Sequence, residues 1–152
     1  ANNKLGGGPT LTLSHDIDLA LWICNKKVIK KNLNFNYSSN LKIKTHHGSD
    51  IFLNFSDRST ANIHLDFYQN PPKRIIEVIG TLGRFEFNYY KSFLKYYFPN
   101  SKKIKTYKLK NFDRNKMFID EMVDFLKCIK QNLKSPISIN EATKILKICK
   151  TR

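Results

Sequence analysis

Hydrophobic and polar residues alternate with period two through the middle of the chain. Apolar residues occupy every second position in 33–37, 51–55 and 61–67, with mostly polar residues between them. This spacing places alternate side chains on opposite faces of a half-buried β-strand. Asp57-Arg58-Ser59 is predicted as a hairpin turn between the second and third of these strands. Two more apolar segments, 75–79 and 85–89, flank Gly80-Thr81-Leu82-Gly83, which is typical of a hairpin turn. Edge strands are also predicted in 91–98 and 104–110.

Both ends of the chain have helical spacing instead. Apolar residues recur every three or four positions from Leu13 to about Asn25, and Thr12 or Ser14 is expected to cap this helix. A second apolar stripe with helical spacing follows the strands. The last helix is predicted to begin at Ser138, which forms a capping box with Glu141. The apolar stripe consists of Phe118, Met122, Phe125, Leu126 and Ile129.

The order of helix, strands and helices predicts an α+β fold. We expect a largely antiparallel open sheet with helices packed on one face. The other face then needs cover, which a second subunit would supply most simply, so we expect a homo-oligomer, a dimer through the sheet face. A length of 152 residues suits a single domain, and the prediction is one domain over 1–152.

The net charge of +15 raises the question of a nucleic-acid partner. Only five of the 27 basic residues are arginines, which bidentate recognition of phosphate and guanine favours. The lysines are also spread along the chain. We therefore interpret the charge as a solvated surface and expect neither nucleic acid nor membrane as a partner.

Cysteine usage and hydropathy bear on the compartment. Three widely spaced cysteines do not form a disulfide framework and suit a reducing environment, so a cytoplasmic protein is predicted. No apolar segment approaches the roughly 18 residues of a membrane-spanning helix, and no signal peptide is expected.

Candidate chemistry lies at the start of the first helix. Gly6-Gly7-Gly8 precedes this helix, and His15 lies in its first turn with Asp18 nearby on the same face. Amides at a helix start favour anions and polarised oxygens, and glycines allow a ligand to approach the backbone. The alternative is that His15 is a polar helix-start residue without chemistry. No metal site is predicted, because His46, His47 and His64 lack ligand spacing.

Several segments resemble the C-terminal domain of the Gfo/Idh/MocA family of NAD(P)-dependent oxidoreductases. They are Gly6-Gly7-Gly8, the run Leu11–Trp22, the segment Leu65–Gly83 and the tail Ile137–Leu146. The resemblance implies the substrate-binding portion of an oxidoreductase that acts on a sugar, sugar nucleotide or similar polyol. It implies NAD or NADP, bound mainly by a Rossmann domain that is absent from this chain, and an isolated chain without activity.

The resemblance also implies roles for residues at the helix start. His15 would be catalytic, taking or relaying the proton of the hydroxyl that is oxidised. Substrate-binding roles fall to Gly7, Gly8, Thr12, Asp16 and Asp18. Many family members have an aspartate four residues before this histidine, where Leu11 stands here. This departure favours an alternative, a non-catalytic association module that has lost the chemistry; a basic nucleic-acid-binding domain is the third hypothesis.

Overall fold

The computed structural model describes residues 7–37, 40–110 and 112–150, so Gly6 of the glycine run lies outside the described residues. The chain divides into two compact units. The first unit comprises residues 1–69 and 136–152, and the second comprises 70–135. One domain over residues 1–152 stays a prediction.

The first unit contains three antiparallel strands in the order β1-β2-β3, together with helices from both ends of the chain. The β2–β3 hairpin turns at Asp57-Arg58-Ser59, where the Asp57 carboxylate accepts hydrogen bonds from the Ser59 amide and hydroxyl. This turn confirms the predicted hairpin. The elements are α1 (Pro9–Thr12), α2 (Ser14–Cys24), β1 (Val28–Asn36), β2 (Gly48–Phe55), β3 (Thr60–Asp66) and a C-terminal helix (Ile139–Ile148).

The core of the first unit lies between its helices and one face of the sheet. Alternate residues of β2 are buried, as the period-two pattern predicts, and the intervening residues face outward. Ile17 of α2 packs on this buried row and is fully inaccessible. Trp22 is 77% exposed and does not belong to this core. The buried hydrophobic residues are Ile17, Ile51, Leu53, Phe55, Leu65, Ile148 and Cys149.

The second unit contains four antiparallel strands in the order β4-β5-β6-β7, followed by α3. Asp113 caps α3 by accepting a hydrogen bond from the Asn115 amide. No residue of α3 is buried, so its predicted apolar stripe is exposed. The elements are β4 (Ile75–Gly80), β5 (Gly83–Asn88), β6 (Phe93–Tyr97), β7 (Ile104–Lys108) and α3 (Arg114–Lys130).

The α+β class and the antiparallel pairing are confirmed, and the C-terminal helix, which we call α4, begins with the predicted Ser138–Glu141 capping box. The described strands form two separately hydrogen-bonded sheets instead of one. Pro71 and Pro72, which lie between β3 and β4, provide no backbone N–H for a continuous ladder. Within the described ranges, no helix is long and apolar enough to cross a bilayer.

Candidate active site

The first helix, predicted from Leu13, begins at Ser14 as α2, and a separate one-turn helix, α1, precedes it. Pro9 starts the one-turn α1, where its fixed φ suits the first helical position, and α2 begins one residue after α1 ends. Leu13 is the N-cap of α2 and no side chain caps it, so the expectation of a Thr12 or Ser14 cap is wrong. The first amides of α2 therefore lack a side-chain acceptor at the cap, and the acidic residue that faces the positive end of the helix dipole is Asp16 in the first turn.

His15 is the second residue of α2, and its side chain is 53% exposed. Its Nε2 lies 3.4 Å from Oδ2 of Asp16, whose side chain is only 18% exposed. Over the described ranges, no hydrogen bond or ion pair joins His15 to Asp18. The structure thus places Asp16 against the imidazole, where helical spacing had suggested Asp18. Thr12 is exposed at the end of α1.

The backbone conformation and the surroundings of Gly8 both require a glycine. Its φ is 107°, a conformation that side chains strongly disfavour, and it is buried. A Cβ at this position would lie 2.2 Å from Cε1 of His46 and under 3 Å from both ring nitrogens. The imidazole of His46 therefore fills the space beside the Gly8 backbone, where the sequence had suggested a ligand. Gly7, just before it, is half-buried.

His46 is held on several sides. The Thr10 hydroxyl lies 2.8 Å from its Nε2, and Thr10 is completely buried. The ring of Phe35 stacks on the imidazole with centroids 4.1 Å apart and planes 18° apart. The Thr45 hydroxyl donates a hydrogen bond to the carbonyl of His46. Together these contacts connect α1 to the sheet through one buried imidazole.

The environment of His46 favours its neutral form. The residue is 6% exposed, and burial lowers the pKa of its imidazole, with a smaller effect from neighbouring His47. A neutral ring suits the hydrogen bond to Thr10 and the stacking on Phe35. The arrangement fixes the conformation between Gly8 and α2, and hence the start of the helix that carries His15.

Sequence reasoning missed His46. In the sequence, His46 and His47 show only a lack of metal-ligand spacing, and the 38 positions between Gly8 and His46 give no indication of contact. Its position two residues before β2 could have indicated that His46 is buried, because the residues next to a buried strand lie close to the core. In the described part of the chain, no group of three histidine, cysteine or carboxylate side chains is arranged to hold a metal ion.

The glycine segment does not fit a dinucleotide pyrophosphate. In a Rossmann fingerprint, glycines connect a strand to a helix whose amides face the phosphates. Here Gly7 and Gly8 lead into the four-residue α1, and His46 occupies the space where a phosphate would approach Gly8. NAD or NADP would therefore have to be bound by polypeptide other than these residues.

Comparisons with known proteins give similarity in structure alone. No protein-family profile and no curated protein matches the sequence. UDP-N-acetylglucosamine 3-dehydrogenase GnnA from Acidithiobacillus ferrooxidans aligns with 93% of this chain at 13% identity and a TM-score of 0.77. The chain covers 44% of that protein.

Two further solved structures extend this similarity. Levoglucosan dehydrogenase aligns with 95% of the chain at 15% identity and a TM-score of 0.80, and the chain covers 48% of it. Biliverdin reductase from Synechocystis sp. PCC 6803, in complex with biliverdin and NADP+, aligns with 93% at 11% identity and a TM-score of 0.74. The chain covers 44% of that reductase, so it spans less than half of each protein. The chain has the fold of the C-terminal domain of the Gfo/Idh/MocA oxidoreductases, the domain that its sequence resembles.

Proposed function

We propose that this chain is the substrate-binding part of an NAD(P)-dependent oxidoreductase that acts on a sugar, sugar nucleotide or similar polyol. The observation that carries the proposal is an exposed imidazole at the start of α2, on a fold shared with dehydrogenases named for such substrates. The chain spans less than half of the length of those proteins, so the complete oxidation reaction is assigned to this protein only as a proposal. The three free cysteines fit a reducing compartment, and we place the protein in the cytoplasm.

His15 supplies the proton chemistry in this proposal. A histidine can accept a hydroxyl proton and return it at neutral pH. The Asp16 carboxylate, whose Oδ2 lies 3.4 Å from Nε2, orients the ring. The exposed Thr12 hydroxyl, the Asp18 carboxylate and the first amides of α2 provide hydrogen-bonding groups for the other hydroxyls of the substrate.

A non-catalytic association module is the second candidate. Leu11 stands where the resemblance leads one to expect an aspartate, and its side chain cannot polarise an imidazole. Such a module would keep the fold and its protein partners without turnover. Self-association through a sheet face stays a prediction for either candidate, to be measured by analytical ultracentrifugation.

The decisive assay combines this chain with the implied Rossmann domain, supplied as a separate polypeptide, and measures sugar-dependent reduction of NAD+ or NADP+. We expect turnover, and His15→Ala should lower kcat/KM by about 10²–10⁴-fold, the usual contribution of a general base. His64→Ala is the matched control, since this exposed histidine lies on the opposite face of the β1–β3 sheet, and its activity should match the wild type.

Each outcome separates the candidates. Full activity in His15→Ala would remove this residue from the mechanism. Complex formation without turnover on any sugar would favour the association module. Tight NADH binding by the 152-residue chain alone would contradict the conclusion that the dinucleotide is bound elsewhere.

A further inference from the structure

The sheet of the first unit has a face that points away from α2 and the core, and a second copy of this chain is expected to cover it. Because alternate residues of β2 are buried, the intervening ones share this face. Strand register forms two central rows across it, and we call these two rows the outer face. The first row consists of Asn34, Asp50 and His64, and the second of Asn32, Phe52 and Asn62.

The outer face lacks the positive charge of the rest of the chain. Neither row contains a lysine or an arginine, although the chain has 27 such residues and a net charge of +15. Lys30 of β1, which pairs with Asn54, lies beyond the second row. Two copies of a strongly basic chain repel each other where their lysines meet, so a surface without lysines is the one that they can share at the lowest electrostatic cost.

The side chains of the outer face are also complementary to a copy of themselves. Those of Asn32, Asn34 and Asn62 make no hydrogen bond with any residue that the structure describes. A side-chain amide both donates and accepts, so identical amides can pair across a two-fold axis. Phe52 lies between two of these asparagines, is 37% exposed and supplies an apolar contact. Charge and hydrogen-bonding capacity thus both favour a second copy as the occupant.

His64 joins two carboxylates on this side of the sheet, and we call Asp50, His64 and Asp66 the histidine cluster. The Nδ1 of His64 lies 2.6 Å from Oδ1 of Asp50, and its Nε2 lies 3.1 Å from Oδ2 of Asp66. An ionised carboxylate only accepts hydrogen bonds, so both contacts are hydrogen bonds at once when both ring nitrogens carry a proton. The geometry therefore fits an imidazolium, and the hydrogen bond to Asp50 is the main cause that raises the pKa of His64.

Protonation of His64 sets the charge that a dimer would bury. An imidazolium between two carboxylates leaves one net negative charge on each histidine cluster, whereas a neutral imidazole leaves two. Lys30 is the charged residue of β1 on this side of the sheet, and the Tyr68 phenol lies against Gly48, which pairs with Asp66. Buried carboxylates without a cation are costly, so loss of the His64 proton in both copies opposes association.

We propose that the histidine cluster makes self-association through the outer face pH-dependent: the dimer is stable with His64 protonated and dissociates as the pH rises and His64 loses its proton. By linkage, formation of the dimer then increases the affinity of His64 for its proton. The overall charge acts in the opposite direction, because histidines that lose protons make a basic chain less positive and reduce the repulsion between copies. The direction of the pH dependence therefore separates the two effects, and the inference does not depend on the proposed reaction.

The test is analytical ultracentrifugation of the 152-residue chain over a range of concentrations, at about pH 6 and about pH 8.5 and at one ionic strength. We expect the Kd of the dimer to rise by about 10–100-fold between the two pH values, as is usual for two coupled equilibria. His64→Gln, which has a neutral side chain, should associate weakly at both pH values. Asp50→Asn, which has one carboxylate fewer, should form a tighter dimer than the wild type at the higher pH.

His15→Gln is the matched control, because this histidine is exposed to a similar extent but lies on α2, away from the outer face, and its dimer should keep the wild-type pH dependence. Asn62→Lys introduces a cation into a row without lysines and should prevent association at both pH values. All four substituted residues are exposed, so the core stays intact. The proposal is overturned if no dimer forms up to about 1 mM chain. It is also overturned if association strengthens with rising pH, if His64→Gln keeps the pH dependence, or if Asn62→Lys associates like the wild type.

Discussion

Replacement of Gly8 by alanine tests the packing of the imidazole at the start of the chain. The new Cβ would lie 2.2 Å from Cε1 of His46, and the backbone φ of 107° with ψ of 156° is essentially restricted to glycine. The backbone strain costs about 1–3 kcal/mol. Displacement of His46 also weakens its buried hydrogen bond to Thr10, which contributes about 1 kcal/mol. We therefore expect a loss of about 2–4 kcal/mol from a typical total of about 5–15 kcal/mol.

Urea unfolding followed by far-ultraviolet circular dichroism measures this loss. Gly80→Ala is the matched control, because the nearest atom to its Cβ is the Gly83 carbonyl oxygen at 4.0 Å. That variant should stay within about 0.5 kcal/mol of the wild type. Gly8→Ala should also cost about 1 kcal/mol less in a His46→Ala background, where the obstacle and the hydrogen bond are already gone. An equal cost in both backgrounds would refute the idea that His46 limits residue 8.

The remaining predictions concern two histidines and one serine. Burial lowers the pKa of the His46 imidazole below its ordinary 6.5, so the unfolded chain is protonated at this residue before the folded chain as the pH falls. The stability that neutral His46 contributes should therefore be present above pH 6.5 and be lost as the pH falls towards the folded-state pKa. Urea unfolding of the wild type and His46→Ala at several pH values measures this loss. Hydrogen bonding to Asp50 raises the pKa of the half-exposed His64. Protonated His64 should therefore contribute at most about 1 kcal/mol to the free energy of unfolding below pH 6.5, and this contribution should disappear as the pH rises through the folded-state pKa. Asp66 makes a smaller contribution in the same direction, so an NMR titration in which Asp50→Asn left the pKa of His64 unchanged would contradict this cause. The Ser49 hydroxyl is buried and has no partner among the described residues, so Ser49→Ala should raise the free energy of unfolding by about 1 kcal/mol; a decrease would show that the hydroxyl is satisfied.

The sequence by itself determined the local structure. Period-two alternation predicted β2 and β3 because the same residues that alternate in polarity alternate in burial. Asp57-Arg58-Ser59 and the Ser138–Glu141 capping box were predictable because their hydrogen bonds join residues two or three positions apart. The resemblance in sequence also predicted the fold that the solved structures share.

Only the tertiary structure decided what lies beside each element. Gly8 and His46 are 38 positions apart, and no local pattern indicates that an imidazole fills the space of the missing side chain. Likewise, the division of the strands into two sheets and the Asp50–His64–Asp66 contacts depend on strand pairing and register. Local hydrogen bonds and polarity are set by neighbouring residues, whereas burial, pKa shifts and the shape of a site arise from groups that folding brings together from distant parts of the chain.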